Sequence, residues 1–85
     1  MFNIELSRSS FRDLENFDSK RQERVYKAIE KIKSNPFQNP NIKKLRGELK
    51  GRYRYKVGNI RIIYYVDKVT NTVFVETIGK REEIY

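Results

Sequence analysis

Residues 52–66 read Arg-Tyr-Arg-Tyr-Lys-Val, then Gly-Asn, then Ile-Arg-Ile-Ile-Tyr-Tyr-Val, and no other stretch limits the possible folds as sharply. Two runs rich in β-branched and aromatic residues, joined by two residues that tolerate positive φ, predict an antiparallel hairpin turning at Gly58 and Asn59. That turn sets the register: Val57 faces Ile60, Lys56 faces Arg61, Arg54 faces Ile63 and Arg52 faces Tyr65. Side chains alternate between faces along a strand, so Tyr53, Tyr55, Val57, Ile60, Ile62 and Tyr64 share one apolar face. Arg52, Arg54, Lys56 and Arg61 share the other. Directly opposed like charges destabilise a sheet, and a chain that sets Lys56 against Arg61 is best understood if that face receives a polyanion.

The charge distribution agrees. Of 85 residues, 19 are Lys or Arg and 11 are Asp or Glu, a net charge of +8. Lys43, Lys44, Arg46, Lys50, Arg52, Arg54, Lys56 and Arg61 crowd one segment, opposed there only by Glu48. Cations interleaved with tyrosines favour nucleic acid over a merely solvated basic surface, and no basic amphipathic helix points to an anionic membrane. The sequence has neither Cys nor His, which removes disulfides, thiolate metal sites, the commonest zinc ligand and the commonest general base. Asp and Glu are scattered over helix faces, so neither a metal nor another cofactor is expected. No apolar run approaches the roughly 20 residues of a membrane span, and the N-terminus lacks the layout of a signal peptide. A cytoplasmic location, with no membrane partner, is the expectation. The length suits one small domain over residues 1–85, burying roughly 60 to 65% of its unfolded surface.

Elsewhere the periodicities are short but readable. Phe2, Ile4 and Leu6 alternate with polar neighbours and predict a strand. Serines 7, 9 and 10 offer caps for a short helix carrying Phe11 and Leu14 and reaching about Asn16. Asp18 and Ser19 signal a second helix, from about Ser19 to Ser34, with Val25, Ala28, Ile29 and Ile32 on one face. Asn35-Pro36 ends it. Residues 37–41 read as loop, docked on the core by Ile42 and Leu45. Asp67 to Asn71 make a turn, and Thr72 to Ile78 form a last strand. The predicted fold class is α+β: an N-terminal strand, two helices, then a three-stranded antiparallel meander, with both helices on the apolar sheet face. Tyr53, Tyr55 and Tyr64 belong to the core in this reading, because they alternate in step with Val57 and Ile62.

Lys-Leu-Arg-Gly at 44–47, the hairpin block at 53–66 and Ile-Gly-Lys-Arg-Glu-Glu-Ile-Tyr at 78–85 together resemble the RelE/ParE superfamily of toxin-antitoxin toxins. The element order is similar to that family's fold. The resemblance implies a growth-inhibiting toxin silenced by a cognate, RelB-like antitoxin. Its RelE branch cleaves messenger RNA on the ribosome; its ParE branch poisons DNA gyrase and lacks the catalytic cations. The RelE pattern implies catalytic roles for Arg54, Lys56, Arg61 and Arg81, and for Tyr85 as the family's terminal tyrosine. Arg54 departs from the pattern, standing where a lysine is frequent. Lys43, Lys44, Arg46, Lys50 and Arg52 are the expected RNA-binding residues.

RNA can be cut without a metal when its own 2′-hydroxyl attacks the adjacent phosphate. Such a site needs a base for that hydroxyl, cations for the growing charge and a proton donor for the leaving oxygen. Lys56 and Arg61 suit the second task. Nearby cations would favour the phenolate of Tyr85, while Glu82 or Glu83 is an alternative base. The expected function is therefore a metal-independent endoribonuclease acting on ribosome-bound message. A noncatalytic gyrase inhibitor and a basic RNA-binding module without chemistry are the alternatives.

Overall fold

A computed structural model, which describes residues 1–80, places two helices against one face of a five-stranded sheet. The elements are β1 (Asn3–Leu6), α1 (Arg8–Glu15), α2 (Ser19–Ser34), β2 (Ile42–Lys44), a 3-10 turn (Gly47–Leu49), β3 (Tyr53–Val57), β4 (Ile60–Asp67) and β5 (Thr72–Lys80). The sheet order is β1-β5-β4-β3-β2, antiparallel throughout except for the parallel pair β1 and β5. The two helices thus carry the chain from one edge of the sheet to the other.

Both helices begin on the expected caps. The Ser7 hydroxyl accepts from the Ser10 N–H at 3.1 Å, and the Asp18 carboxylate accepts from the Arg21 N–H at 3.1 Å. Ser7 also donates to the Glu76 carbonyl at 2.9 Å, and the buried Ser10 hydroxyl donates to the Val75 carbonyl at 3.1 Å. The cap therefore fastens α1 to β5 as well as starting it. Leu14, Val25, Ala28, Ile29 and Ile32 pack on Tyr55, Ile60, Ile62, Tyr64, Val73, Val75 and Ile78.

From Tyr53 to Val57 the hairpin has the register read from the sequence, with Gly58 at φ +59°. Two features depart from expectation. Residues 42–44 are a strand rather than only a docked loop, pairing antiparallel with β3 so that Ile42, Lys43 and Lys44 face Tyr55, Arg54 and Tyr53. A free edge on β3 recruits these residues, and three residues are too few to display an alternation. The last strand also runs on to Lys80 and carries an irregularity: Ile63 faces Thr77 while Tyr64 faces Val75, leaving Glu76 as an extra residue. This bulge lets Val75 and Ile78 both reach the core.

Tyr55 and Tyr64 are buried, as the alternation predicts, and Tyr53 is half-buried against them. Tyr53 stacks on Tyr64 with ring centroids 5.7 Å apart. The Tyr64 hydroxyl donates to the Pro36 carbonyl at 2.6 Å, tying the loop after α2 to the centre of the sheet. Burial pushes the Tyr64 phenol well above the ordinary tyrosine range, with Tyr53 and Tyr55 adding to the shift. It is a neutral donor. Tyr64→Phe should strand a buried carbonyl and lower stability by about 1–3 kcal/mol in urea unfolding. The folded state holds the Tyr64 proton more tightly than the unfolded chain does, so this residue's stabilisation persists below pH ~10 and fades as pH rises. Tyr64→Phe should flatten that alkaline loss.

Candidate functional site

The helix-free face of the sheet is organised in rows that run across the strands. One row is Lys56, Arg61 and Gly79; the next is Lys43, Arg54, Ile63 and Thr77. A third joins Tyr65, Phe74 and Glu5, with the Arg52 guanidinium over the Tyr65 ring at 6.0 Å. Four cations from three strands, Lys43, Arg54, Lys56 and Arg61, therefore share neighbouring rows of one rigid surface. Gly79 sets no side chain beside Arg61.

These cations are not equally solvated. Lys43 and Lys56 are exposed and Arg54 is half-buried, whereas Arg61 is only 5% exposed. A uniformly open basic face, as expected from alternation alone, is thus corrected at Arg61. The Arg61 Nη1 donates to the Gly58 carbonyl at 3.5 Å, and the Arg54 Nε is buried with no hydrogen-bond partner among the described residues. Neither forms a salt bridge to a carboxylate among those residues. A guanidinium withdrawn from water without an anion is costly. The arrangement is suited to a phosphate, which would supply the missing acceptors.

Arg52 differs. Its guanidinium bonds to both carboxylate oxygens of Glu76, Nη2 to Oε2 at 3.3 Å, and the carboxylate raises the Arg52 pKa through that hydrogen bond and its charge. Arg52 is therefore already paired with a carboxylate, unlike Arg54 and Arg61 among the described residues. Lys44 faces Tyr53 and so takes the parity of the helix-covered side, at an exposed edge. Lys44, Arg46 and Lys50 instead surround the 3-10 turn, where they line a shallow hollow of about 460 Å³. Arg81 and Tyr85, with Glu82 and Glu83, lie outside the described residues.

Other contributors were not foreseen. Arg24 of α2 brings its Nη1 to within 3.6 Å of where a side chain on Gly58 would begin, so a helix cation meets the hairpin tip near Arg61. Phe74 joins Tyr65 in the third row, and Glu76 pairs with Arg52 beside it. Only the β4–β5 register could have revealed them, and the bulge conceals it. Among the described residues no three Asp or Glu side chains gather as a metal site, and no helix is long and apolar enough to cross a membrane.

Residues 4–85 match the family model described as the ParE toxin of type II toxin-antitoxin systems, parDE. The chain belongs to this family and is a toxin of a toxin-antitoxin system within the RelE/ParE superfamily. A Methanocaldococcus jannaschii protein named "Putative toxin RelE1" is 28% identical over 86 residues, covering 99% of this chain and 94% of that one. The fold is similar to that in the Mycobacterium tuberculosis RelBE2 toxin-antitoxin complex, at TM-score 0.82 and 23% identity over 94% of this chain and 98% of the other. Isolated E. coli RelE superposes at TM-score 0.81 and 23% identity, over 94% of this chain and 84% of that chain. The YoeB/ParE toxin of Agrobacterium tumefaciens gives 0.83 at 20% identity, over 93% and 98%. The RelE-like fold is common to this chain and these three solved structures.

Arg61→Met keeps an aliphatic stem of similar reach and removes the charge facing Lys56. Its melting temperature should stay level or rise by up to about 6 °C, as relief of roughly 0.2–1 kcal/mol of cross-strand repulsion requires. Calorimetry showing a loss of 10 °C or so would mean that the guanidinium holds the fold together.

Proposed function

We propose that this toxin is a metal-independent endoribonuclease that cuts messenger RNA on the ribosome, and that a RelB-like antitoxin silences it. The observation that carries this reading is the nearly buried Arg61 beside the half-buried Arg54, whose Nε has no partner among the described residues, both flanked by Lys43 and Lys56 and without a carboxylate among those residues. Donors fixed in advance around a scissile phosphate stabilise the charge that develops when the 2′-hydroxyl attacks. A sequence with no His or Cys supplies no customary ligand set for a metal. Arg81 and Tyr85 enter through the RelE pattern: Tyr85 takes the 2′-hydroxyl proton and Arg81 serves the leaving oxygen. The antitoxin is expected to present acidic, amphipathic chain to the basic rows and so exclude RNA.

The ParE family match supports a second reading, inhibition of gyrase without catalysis. Induction of the protein in cells separates the two. New 5′-hydroxyl RNA ends clustered in translated message support the nuclease; gyrase-dependent DNA breaks without new RNA ends would replace it. On purified ribosomes carrying message, Arg61→Met should reduce cleavage by roughly 100-fold or more. Deleting Tyr85 should abolish cleavage and leave RNA binding with its salt dependence intact. Full cleavage by that deletion would transfer the base role to Glu82 or Glu83.

A further inference from the structure

The third row of the open face has no part in the chemistry above. Tyr65 and Phe74 face each other across β4 and β5, their rings stacked with centroids 5.1 Å apart and planes 19° apart. Tyr65 is 37% exposed and Phe74 is half-buried. They border a groove of about 470 Å³ whose polar groups come from Glu5, Ser7 and Glu76. The aromatic pair alone would be an ordinary cross-strand contact. Its setting is not ordinary: it lies on the same face as the cationic rows, about 13 Å along β4 from Arg61, and Arg52 covers part of the Tyr65 ring. Aromatic side chains on an open sheet beside a basic track are how folded domains hold the bases of single-stranded RNA.

The polar groups narrow the base. Glu76 is engaged by Arg52, and Ser7 donates its proton to the Glu76 carbonyl. Glu5 is exposed, stands opposite Phe74, and has no salt-bridge partner among the described residues. A carboxylate accepts hydrogen bonds only. Guanine offers it two adjacent N–H donors, on N1 and the exocyclic amine, where adenine and cytosine offer the amine alone. We infer that Tyr65 and Phe74 form a stacking subsite for a nucleobase of the bound RNA strand, and that Glu5 makes it prefer guanine. This rests on the RNA reading of the basic rows and extends it to a specificity determinant.

The test measures binding of short uridine oligonucleotides, 2′-O-methylated so that they cannot be cut, with one guanine, adenine or cytosine moved through the sequence. Fluorescence anisotropy on the full chain should find one position where guanine binds best. Tyr65→Ile with Phe74→Ile, which keeps strand propensity but removes the rings, should weaken that binding roughly 10-fold or more without changing its salt slope. Glu5→Gln, at an exposed position, should erase the guanine preference and leave the adenine oligonucleotide unaffected, so the inference stays exposed to failure even if the double variant misfolds. Equal binding by wild type and the aromatic variant, with Lys56→Ala still weakening both, would overturn the subsite and spare the RNA reading. An absence of RNA binding by the wild type would overturn both. Loss of antitoxin copurification alone, with oligonucleotide binding unchanged, would assign the aromatic row to a protein partner and also overturn the subsite.

Discussion

The two-residue turn at Gly58 and Asn59 is the constraint on which the rest of this molecule depends. Gly58 adopts φ +59°, a conformation that suits a glycine, and thereby pins Tyr55 to Ile62 and Lys56 to Arg61. A slip of one residue would exchange the faces of a strand, turning Arg54 and Lys56 toward the helices and Tyr55 toward solvent. Helix packing and the cationic rows are therefore two consequences of one register. The outer strands then lengthen those rows, β2 adding Lys43 beside Arg54 and β5 adding Gly79 beside Arg61.

Within those rows the electrostatics divide sharply. Arg52 has its carboxylate in Glu76, at a position about one-third exposed, and contributes little net charge. Arg61 and the Arg54 Nε are withdrawn from water with no such compensation among the described residues. Folding alone gives no reason for that arrangement. Local violations of the usual rules for burying charge are tolerated where function requires them, at a cost offset elsewhere in the structure. Here the offset comes from the opposite side of the same strands, where Ile60, Ile62 and Tyr64 are completely buried.

Much of the fold was legible because it is written locally. Ser7 and Asp18 cap helices that end near Asn16 and Asn35, and the tyrosines alternate in step with aliphatic residues. The basic face was legible for the same reason, since parity along a strand needs no knowledge of neighbours. What sequence could not display depends on partners far along the chain. β2 owes its existence to the free edge of β3, the parallel place of β1 depends on β5, and the extra residue at Glu76 breaks the period-two reading of the last strand. The Arg52–Glu76 pair and the meeting of Tyr65 with Phe74 follow from that bulged register. The burial of Arg61 is likewise a property of its surroundings rather than of its strand position.

The pairing of β1 with β5 also sets a clock. Asn3 lies beside Thr72 and Leu6 beside Val75, so the first strand to be synthesised waits for the last before it has a neighbour. Ribosomes deliver a chain from its N-terminus, and contacts so distant in sequence form late. Until residue 76 has emerged, α1 lacks the β5 carbonyls to which the Ser7 and Ser10 hydroxyls bond, and the sheet has no completed edge. Without β5 the chain has neither a neighbour for β1 nor the bonds that tie α1 to the sheet. Any partner that must meet this protein as it matures has that interval in which to be present.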